Sequence, residues 1–231
     1  MTPPVALAIA ATDPSGGAGI AADLTTFAAL GVHGTCVVTA VTTQDTTAVY
    51  AIHPIPLDIV AAQLDAVLND LKPAVIKTGM LGTAEVARIV ADRCSGYTLV
   101  VDPVLRSSTG QQLADEQLVE AYRDVLIPAA TVVTPNEDEF AALGRPGLPT
   151  VLVTSGGDVE TTNDHGTGCT FASALATFLA LGAELPDATA RAHGFVTQQL
   201  TLGRDWSLGS GRGPVAHISA SSTIERSGVK P

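Results

Sequence analysis

The chain has 231 residues, of which 46% are hydrophobic, 15% are charged and 4% are aromatic. This composition excludes a disordered protein, and the length suits one α/β domain with a large buried core. The formal net charge is −11, from 12 basic and 23 acidic residues, and no cluster of Lys and Arg stands out. Nucleic acids and anionic membranes are therefore excluded as expected partners.

The three cysteines, Cys36, Cys94 and Cys169, are odd in number and lack CxxC spacing. This favours reduced thiols over a disulfide framework or a zinc site. Cys36 is expected in the core within a strand, and Cys94 is expected as a surface or half-buried thiol near a helix end. The N-terminus has no basic leader and no apolar run is long enough to span a bilayer, so we expect a cytoplasmic protein.

Short apolar runs alternate along the chain with stretches of helical periodicity. The runs predicted as buried strands span residues 5–10, 35–41, 74–77, 97–101, 130–133 and 150–153. The predicted helices span residues 20–30, 57–71, 83–94, 115–126, 168–181 and 186–202, with a short helix opened by residues 134–139. This alternation predicts a single α/β domain over residues 1–231, with a mostly parallel sheet between helices. The polar residues 219–231 are expected to fray.

Polar or glycine-containing clusters follow the predicted strands directly. They span residues 11–19, 42–46, 78–82, 102–110, 134–139 and 154–157. Because parallel strands present their carboxyl ends at one edge of a sheet, we expect these clusters to meet there and form a ligand site.

The most informative stretch is DHGTGCTFAS at residues 164–173, where two glycines precede a run of good helix formers. Unpaired N–H groups and the positive end of the helix dipole favour an anion at such a start, most often phosphate. Cys169 falls in the first turn, where the same field would lower the pKa of its thiol. A phosphate seat with an adjacent base fits phosphoryl transfer. The alternative is a loop that leads into a buried helix, with Cys169 as a small core residue.

Several side chains in the polar clusters suit particular ligands. The amide of Gln44 suits a heterocycle with amino and ring-nitrogen groups, although it can also cap its own turn. Met80 can form an apolar wall for a flat ring or pack in the core. Arg106 can clamp a phosphate as a bidentate fork or remain solvated. His165 can donate to a phosphate, although a loop histidine needs no function.

Three oxygen-bearing side chains suit Mg²⁺ or its bound waters. They are Asp102, which precedes a proline at a strand end, and Asn136 with Glu139, one helical turn apart. The alternatives are a strand-end turn for Asp102 and a helix cap for Asn136.

Together these motifs resemble the hydroxymethylpyrimidine/phosphomethylpyrimidine kinases of thiamine biosynthesis, within the ribokinase-like superfamily. The resemblance covers nearly the whole chain, with the motifs in the family's order. The motifs are DPSGGAGI (13–20) with ADL (22–24), TAVTTQ (39–44), KTGMLG (77–82), VDPV (101–104), TPN (134–136) with Glu139, HGTGC (165–169), and GPV (213–215) with His217. Several collinear motifs are far more specific than any one of them.

The resemblance implies a ribokinase-like three-layer αβα sandwich with a mostly parallel central sheet. It implies an ATP- and Mg²⁺-dependent kinase that phosphorylates the hydroxymethyl group of the pyrimidine and then phosphorylates that monophosphate to the diphosphate. The small-molecule pyrimidine and ATP are the implied partners. The superfamily often dimerises, so the resemblance is compatible with a homodimer.

The resemblance also assigns roles in phosphoryl transfer. Cys169 would be the base, where sugar-kinase relatives use an aspartate. The residues that would form the anion hole are Gly166, Thr167 and Gly168. The residues that would organise Mg²⁺ around the nucleotide phosphates are Asp102, Asn136 and Glu139.

The implied pyrimidine pocket departs from the family at two positions. Gln44 would hold the aminopyrimidine and Met80 would line its pocket. Ala11 stands where the family usually has glycine, and its methyl group could modestly alter selectivity beside the ring. Arg106 stands where the family usually has a small apolar residue, and its charge could favour an acceptor that already carries phosphate.

The segment between the predicted strand at 150–153 and the glycine loop is much shorter than in the family, and Thr154 stands where a lysine usually contacts the nucleotide. Part of the structure that covers the nucleotide is therefore missing. We expect a kinase that converts 4-amino-5-hydroxymethyl-2-methylpyrimidine phosphate to the diphosphate, with the free alcohol as a weaker substrate or none. The alternatives are a catalytically inactive pyrimidine-binding protein and a kinase of a related ring such as pyridoxal.

Overall fold

The computed structural model describes residues 2–145, 147, 150–153 and 159–217. The predictions for residues 154–157 and 219–231, and the position of Thr154, lie outside the described residues. The strands are β1 (Val5–Ala10), β2 (His33–Val38), β3 (Ala40–Gln44), β4 (Val49–Pro54), β5 (Val75–Thr78), β6 (Leu99–Val101) and β7 (Val132–Val133). The helices are α1 (Gly19–Ala29), α2 (Leu57–Asp70), α3 (Ala84–Arg93), α4 (Glu116–Ala121), α5 (Ile127–Ala129), α6 (Glu137–Ala142), α7 (Thr167–Ala180) and α8 (Leu185–Gly203).

Five strands form one parallel sheet in the order β2-β1-β5-β6-β7. The parallel pairing of all five strands confirms the expected arrangement. Each crossover between them carries a helical segment, as parallel strands require. The predicted strand at residues 150–153 is wrong as a full strand. Thr150 makes a single parallel bridge to Val133, and the amide of Val153 donates to the carbonyl of Pro135 at 3.0 Å.

The predicted strand at residues 35–41 is confirmed only as far as Val38, because the chain leaves the sheet at Thr39. The amide of Thr39 donates to the carbonyl of Ala10, and its hydroxyl donates to the carbonyl of Met80 at 2.8 Å. The chain then continues as β3, which pairs antiparallel with β4 in a separate two-stranded ribbon. The sequence pattern missed β4 because most of its residues are exposed and show no clear alternation of apolar and polar side chains.

Two layers of helices cover the sheet, as expected for a three-layer sandwich. Strand β1 directs Leu7 and Ile9 into one hydrophobic core and Ala6, Ala8 and Ala10 into the other. The core on the alanine side contains residues from α1, α7 and α8, and the opposite core contains residues from α2, α3 and α4. Small side chains on one face of β1 leave room for α7, which is buried along most of its length.

The predicted helix over residues 115–126 begins as expected after Asp115, whose carboxylate accepts the amide of Leu118. It continues from α4 through a π-helical turn, Tyr122–Leu126, into α5.

The expectation of an exposed or half-buried Cys94 is wrong. Cys94 is fully buried in the core beside α3, and burial raises the pKa of its thiol to about 12. Cys36 is half-buried on β2.

Among the described residues, no helix is both long and apolar enough to cross a membrane.

The start of α7 is fixed by a close contact between two glycine loops. Gly166 precedes α7 with a positive φ of 85°, and a Cβ atom at this position would overlap the backbone carbonyl of Gly17. The position therefore requires glycine both for its backbone conformation and for its closeness to the loop before α1.

We expect Gly166→Ala to lower the free energy of unfolding by about 3 kcal/mol, from the strain of a positive φ plus the steric overlap. Gly182→Ala is the matched control, because Gly182 has a φ of 87° but open space where a Cβ atom would lie. The control is expected to lose only about 1 kcal/mol. Urea denaturation measures both values, and equal losses would contradict the steric argument.

Candidate active site

A cavity of about 820 Å³ opens at the carboxyl edge of the parallel sheet. It is lined by the segments that follow β1, β5, β6 and β7, by Thr42 and Gln44 of β3 and by the start of α7, so the predicted meeting of the polar clusters is confirmed for the described residues. The predicted site residues all line this one cavity. They are Ala11, Gln44, Met80, Asp102, Arg106, Asn136, Glu139, Gly166, Thr167, Gly168 and Cys169.

One wall of the cavity joins the ends of β1 and β5. The amide of Ala11 donates to the carbonyl of Met80 at 3.1 Å, and the same carbonyl accepts the hydroxyl of Thr39. Ala11 is only 3% exposed, so its methyl group presents little surface to a ligand. The side chains of Met80 and Gln44 are half-buried and line the cavity. This wall offers an apolar surface with one amide beside it.

The first turn of α7 forms another part of the cavity wall. The amide and hydroxyl of Thr167 both donate to the carbonyl of Asp164, and the amide and hydroxyl of Thr170 both donate to the carbonyl of Gly166. The amides of Gly168 and Cys169 belong to the same turn, where a helix supplies no acceptor four residues earlier. The start of this 14-residue helix can therefore bind an anion, as predicted.

A buried charge cluster lies beneath this turn. The ammonium group of Lys77, which is fully buried, lies 2.8 Å from Asp23 Oδ1 and 3.7 Å from Asp102 Oδ2. The hydroxyl of Ser173 also donates to Asp23 Oδ1 at 2.7 Å. The sequence analysis assigned no role to Lys77 or Asp23, because an ion pair between residues 54 positions apart leaves no local signal.

The expectation that the pKa of Cys169 is lowered is wrong. Burial raises the pKa of its thiol to about 12, and the carboxylates of Asp102 and Asp23 raise it further. Lys77 and a hydrogen bond from the Gly19 amide oppose this shift but do not offset it. The thiol is therefore protonated at neutral pH.

Two carboxyl groups on the cavity wall have pKa values above their usual range. Burial raises the pKa of Asp102 to about 6 against the attraction of Lys77. Burial, with repulsion from Asp102, raises the pKa of Glu139 to about 7. A divalent cation would stabilise the charged form of both groups.

The alternative role of Asn136 and Glu139 as a helix cap is confirmed. Asn136 Oδ1 accepts the amide of Glu139, and Glu139 Oε2 accepts the amide of Asn136, both at 2.9 Å. Glu139 Oε1 also accepts the amide of Leu105 at 3.2 Å. This cap holds Glu139 rigidly at the cavity and does not exclude a second role near a metal ion.

The donor set fits Mg²⁺ only if other oxygens complete its coordination. Asp102 Oδ2 is buried and makes no hydrogen bond to the described residues, although Lys77 lies 3.7 Å away, so this oxygen retains capacity to accept a hydrogen bond. No group of three or more His, Cys, Asp or Glu side chains in the described part of the chain could hold a metal ion. Water and phosphate oxygens would therefore have to supply most of the ligands.

Within the described residues, two arginines line the cavity, but their environments differ. Arg106 is exposed, as in the alternative of a solvated side chain, and its segment pairs with Gln112 through an antiparallel bridge. Arg212 forms a two-point ion pair with Asp164, with its Nε 2.7 Å from Oδ1. The sequence analysis missed Arg212, although a basic residue in the glycine-rich segment of an acidic chain was an available signal.

A family model described as phosphomethylpyrimidine kinase matches residues 13–151 and 148–216. The chain belongs to this family. The hydroxymethylpyrimidine/phosphomethylpyrimidine kinase of Rhizobium meliloti is 38% identical over 257 aligned residues, which cover 93% of this chain and 97% of that protein. The expectations of a kinase and of a phosphotransferase activity are thus confirmed.

Solved structures support the ribokinase-like fold. A phosphomethylpyrimidine kinase from Clostridium difficile 630 is 31% identical with a TM-score of 0.74, covering 84% of this chain and 98% of that chain. A pyridoxal kinase from Staphylococcus aureus in complex with AMP-PCP is 29% identical with a TM-score of 0.83, covering 96% of both chains. The AMP-PCP bound to this pyridoxal kinase is an ATP analogue, which supports the expected use of ATP.

The shortened segment before the glycine loop is consistent with these alignments. The alignment with the R. meliloti kinase spans 257 positions, more than the 231 residues of this chain, so that relative has residues which this chain lacks. The family model also matches in two pieces that meet at residues 148–151.

The raised pKa of Glu139 gives a test by pH. A buried carboxyl whose pKa rises from 4.5 to about 7 on folding stabilises the protein fully below pH 4.5 and loses this contribution as the pH rises through 7. Wild type should therefore lose more unfolding free energy between pH 5 and pH 8 than Glu139→Gln, which retains the cap. Urea denaturation at several pH values measures this, and the exposed Glu137→Gln is the control. Identical pH profiles for wild type and Glu139→Gln would contradict the raised pKa.

Proposed function

We propose that this chain transfers a phosphoryl group from ATP to the phosphate of 4-amino-5-hydroxymethyl-2-methylpyrimidine phosphate, a step of thiamine biosynthesis, with the free alcohol as a weaker substrate or none. The observation that carries the proposal is that one cavity joins the Gln44 wall, the start of α7 and the exposed Arg106. A pyrimidine, a migrating phosphoryl group and an acceptor phosphate each have a matching surface in that cavity.

The Gln44 wall would hold the pyrimidine ring. Met80 supplies an apolar surface for the ring face, and the side-chain amide of Gln44 can hydrogen-bond to its edge. The backbone hydrogen bond from Ala11 to Met80 keeps this wall rigid. Rigid placement of the acceptor reduces the entropic part of the barrier to transfer.

The first turn of α7 would stabilise the charge that develops during transfer. Amide dipoles at Gly168 and Cys169 are fixed before the substrate binds, so they need little reorganisation as the charge moves. Mg²⁺, when bound, would neutralise phosphate oxygens of the nucleotide. Asp102 and Glu139 would organise it, with Asn136 holding Glu139 in place.

The protonation of the acceptor favours the monophosphate over the alcohol. The second pKa of a phosphate monoester is about 6, so its oxygens are already ionised at neutral pH. A hydroxyl group must lose a proton to the enzyme during transfer. The Cys169 thiol, protonated at neutral pH, is poorly prepared to take that proton.

The two alternatives have less support. Relatives named as kinases favour catalysis over an inactive pyrimidine-binding protein. The likeness to pyridoxal kinases has high TM-scores, but the family model and the matched sequences carry phosphomethylpyrimidine names. The homodimer remains a prediction.

Arg106→Ala should raise the KM for the pyrimidine monophosphate 10- to 100-fold, which corresponds to the loss of a charged hydrogen bond. The KM for the alcohol should stay unchanged, because the alcohol carries no charge for Arg106 to bind. Steady-state kinetics with both acceptors measure this. Arg88→Ala is the control, since Arg88 is an exposed arginine on α3. Equal losses on both acceptors would remove Arg106 from the proposal, and efficient use of the alcohol by wild type would refute the stated preference.

Cys169→Ala should impair transfer to the alcohol more than transfer to the monophosphate, the reverse of the effect expected for Arg106→Ala. If Cys169 acts as the base, only transfer to the alcohol depends on it, and kcat on the alcohol should fall by about 100-fold or more. The kcat on the monophosphate should fall less than about 10-fold, and acceptor KM values should change little. Cys36→Ala is the control thiol. A loss of 100-fold on the monophosphate would show that Cys169 does more than remove a proton.

A further inference from the structure

His165 has a single fixed position at the edge of the cavity. Its backbone amide donates to the carbonyl of Gly213 at 3.0 Å, and its carbonyl accepts the amide of Val215 at 3.1 Å. Its ring packs so closely on Gly17 that a Cβ atom there would overlap ring carbon Cδ2. The residue is only 5% exposed. The imidazole is therefore held by backbone contacts on one side and by a glycine on the other.

Both ring nitrogens of His165 have protein partners. Nε2 lies 2.7 Å from Asp13 Oδ2, and Nδ1 lies 2.6 Å from the hydroxyl of Ser108. The side-chain nitrogen Nε2 of Gln44 also lies 3.3 Å from Nε2 of His165. The hypothesis that His165 donates to a phosphate is therefore not supported, because its hydrogen-bonding capacity is used within the protein.

The environment of Asp13 determines which ring nitrogen carries a proton. One oxygen of Asp13 accepts the amide and hydroxyl of Ser15, and the other accepts the amide of Ala18 at 2.8 Å. Burial alone would raise the pKa of Asp13, but the hydrogen bonds from His165 and Ser15 outweigh it and lower the pKa. An ionised carboxylate only accepts, so Nε2 of His165 carries the proton.

This protonation fixes the direction of the Gln44 amide. Two donors cannot hydrogen-bond to each other, so we assign the Gln44 amide atom beside Nε2–H as the oxygen rather than the nitrogen, and it shares the proton that Nε2 donates to Asp13. The NH₂ group of Gln44 then faces away from His165, where the side chain lines the cavity. A ligand at this position would be recognised through an unprotonated ring nitrogen that accepts a hydrogen bond, as an aminopyrimidine offers.

The second ring nitrogen reaches a different part of the site. Ser108 lies in the segment between β6 and α4 that also carries Arg106. This segment folds back on itself, with the amide of Ser107 donating to the carbonyl of Gln111 and the amide of Leu113 donating to that of Leu105. The hydrogen bond between Ser108 and Nδ1 attaches this folded segment to the residue before Gly166.

We propose that His165 is a positioning residue with two separate effects on acceptor specificity. Through Nε2 it orients Gln44 for the pyrimidine ring, and through Nδ1 and Ser108 it holds the Arg106 segment against the cavity for the acceptor phosphate. This inference rests on the proposed function. It adds a residue that links recognition of the ring to recognition of the phosphate.

Two substitutions of His165 separate these effects. His165→Gln places an amide group near the position of Nε2, so it can keep the contacts with Asp13 and Gln44 while losing Ser108. His165→Asn is shorter and places an amide near the position of Nδ1, so it can keep Ser108 while losing Asp13 and Gln44. Ser108→Ala removes the second contact without changing the histidine. His193→Asn is the control, because His193 lies on α8 outside the cavity lining.

Isothermal titration calorimetry with the free pyrimidine alcohol, the pyrimidine monophosphate and AMP-PCP measures the outcome. His165→Asn should weaken binding of both pyrimidines by 10-fold or more. His165→Gln and Ser108→Ala should weaken only the monophosphate, by 5-fold or more. Binding of AMP-PCP should change less than 2-fold throughout. Thermal melting of each variant identifies any that fails to fold, and Ser108→Ala, a change at the surface of the loop, keeps the Nδ1 effect testable in that case.

The outcomes distinguish this inference from the function on which it rests. A wild-type chain that binds neither pyrimidine overturns both. A wild-type chain that binds both, with His165→Gln and His165→Asn weakening the two ligands equally, overturns the inference and leaves the proposed function standing. Unchanged monophosphate binding in Ser108→Ala overturns the effect through Nδ1.

Discussion

The buried ammonium group of Lys77 is the interaction on which the floor of the cavity depends. A charged group without solvent is tolerated only when charged or polar partners surround it, and here these are Asp23 from α1 and Asp102 after β6. Removing one partner of such a cluster typically destabilises a protein by about 3–5 kcal/mol. Since Ser173 of α7 also donates to Asp23, the cluster connects two helices to two neighbouring strands directly below the first turn of α7.

A chain with a net charge of −11 must attract phosphates by local features, because its overall field repels them. Of the arginines described at the cavity, Arg212 is neutralised by Asp164 and Arg106 is exposed. Lys77 is balanced by carboxylates. Among the described residues, the groups left to attract an anion deep in the cavity are therefore the peptide dipoles at the start of α7, while Arg106 provides a solvent-exposed positive side chain.

The sequence predicted the sheet, the helices around it and the edge that holds the site, because apolar runs, glycines and helix caps are local signals. It failed where the outcome depends on distant contacts. The raised pKa of Cys169 comes from burial and from Asp102 and Asp23, which outweigh the helix start beside it. His165 could not be assigned either, because its partner Asp13 lies 152 positions away in the chain. The ribbon of β3 and β4 was missed because an exposed strand carries little hydrophobic pattern.

The alternation of β1 side chains between the two cores limits which substitutions this strand can accept. Ala6, Ala8 and Ala10 face the same core as α7, and none of them lines the cavity. A bulkier side chain at any of these positions would push the helix outward and displace its first turn, which lines the cavity. Substitution of these three alanines would therefore alter the shape of the cavity even though none of them lines it.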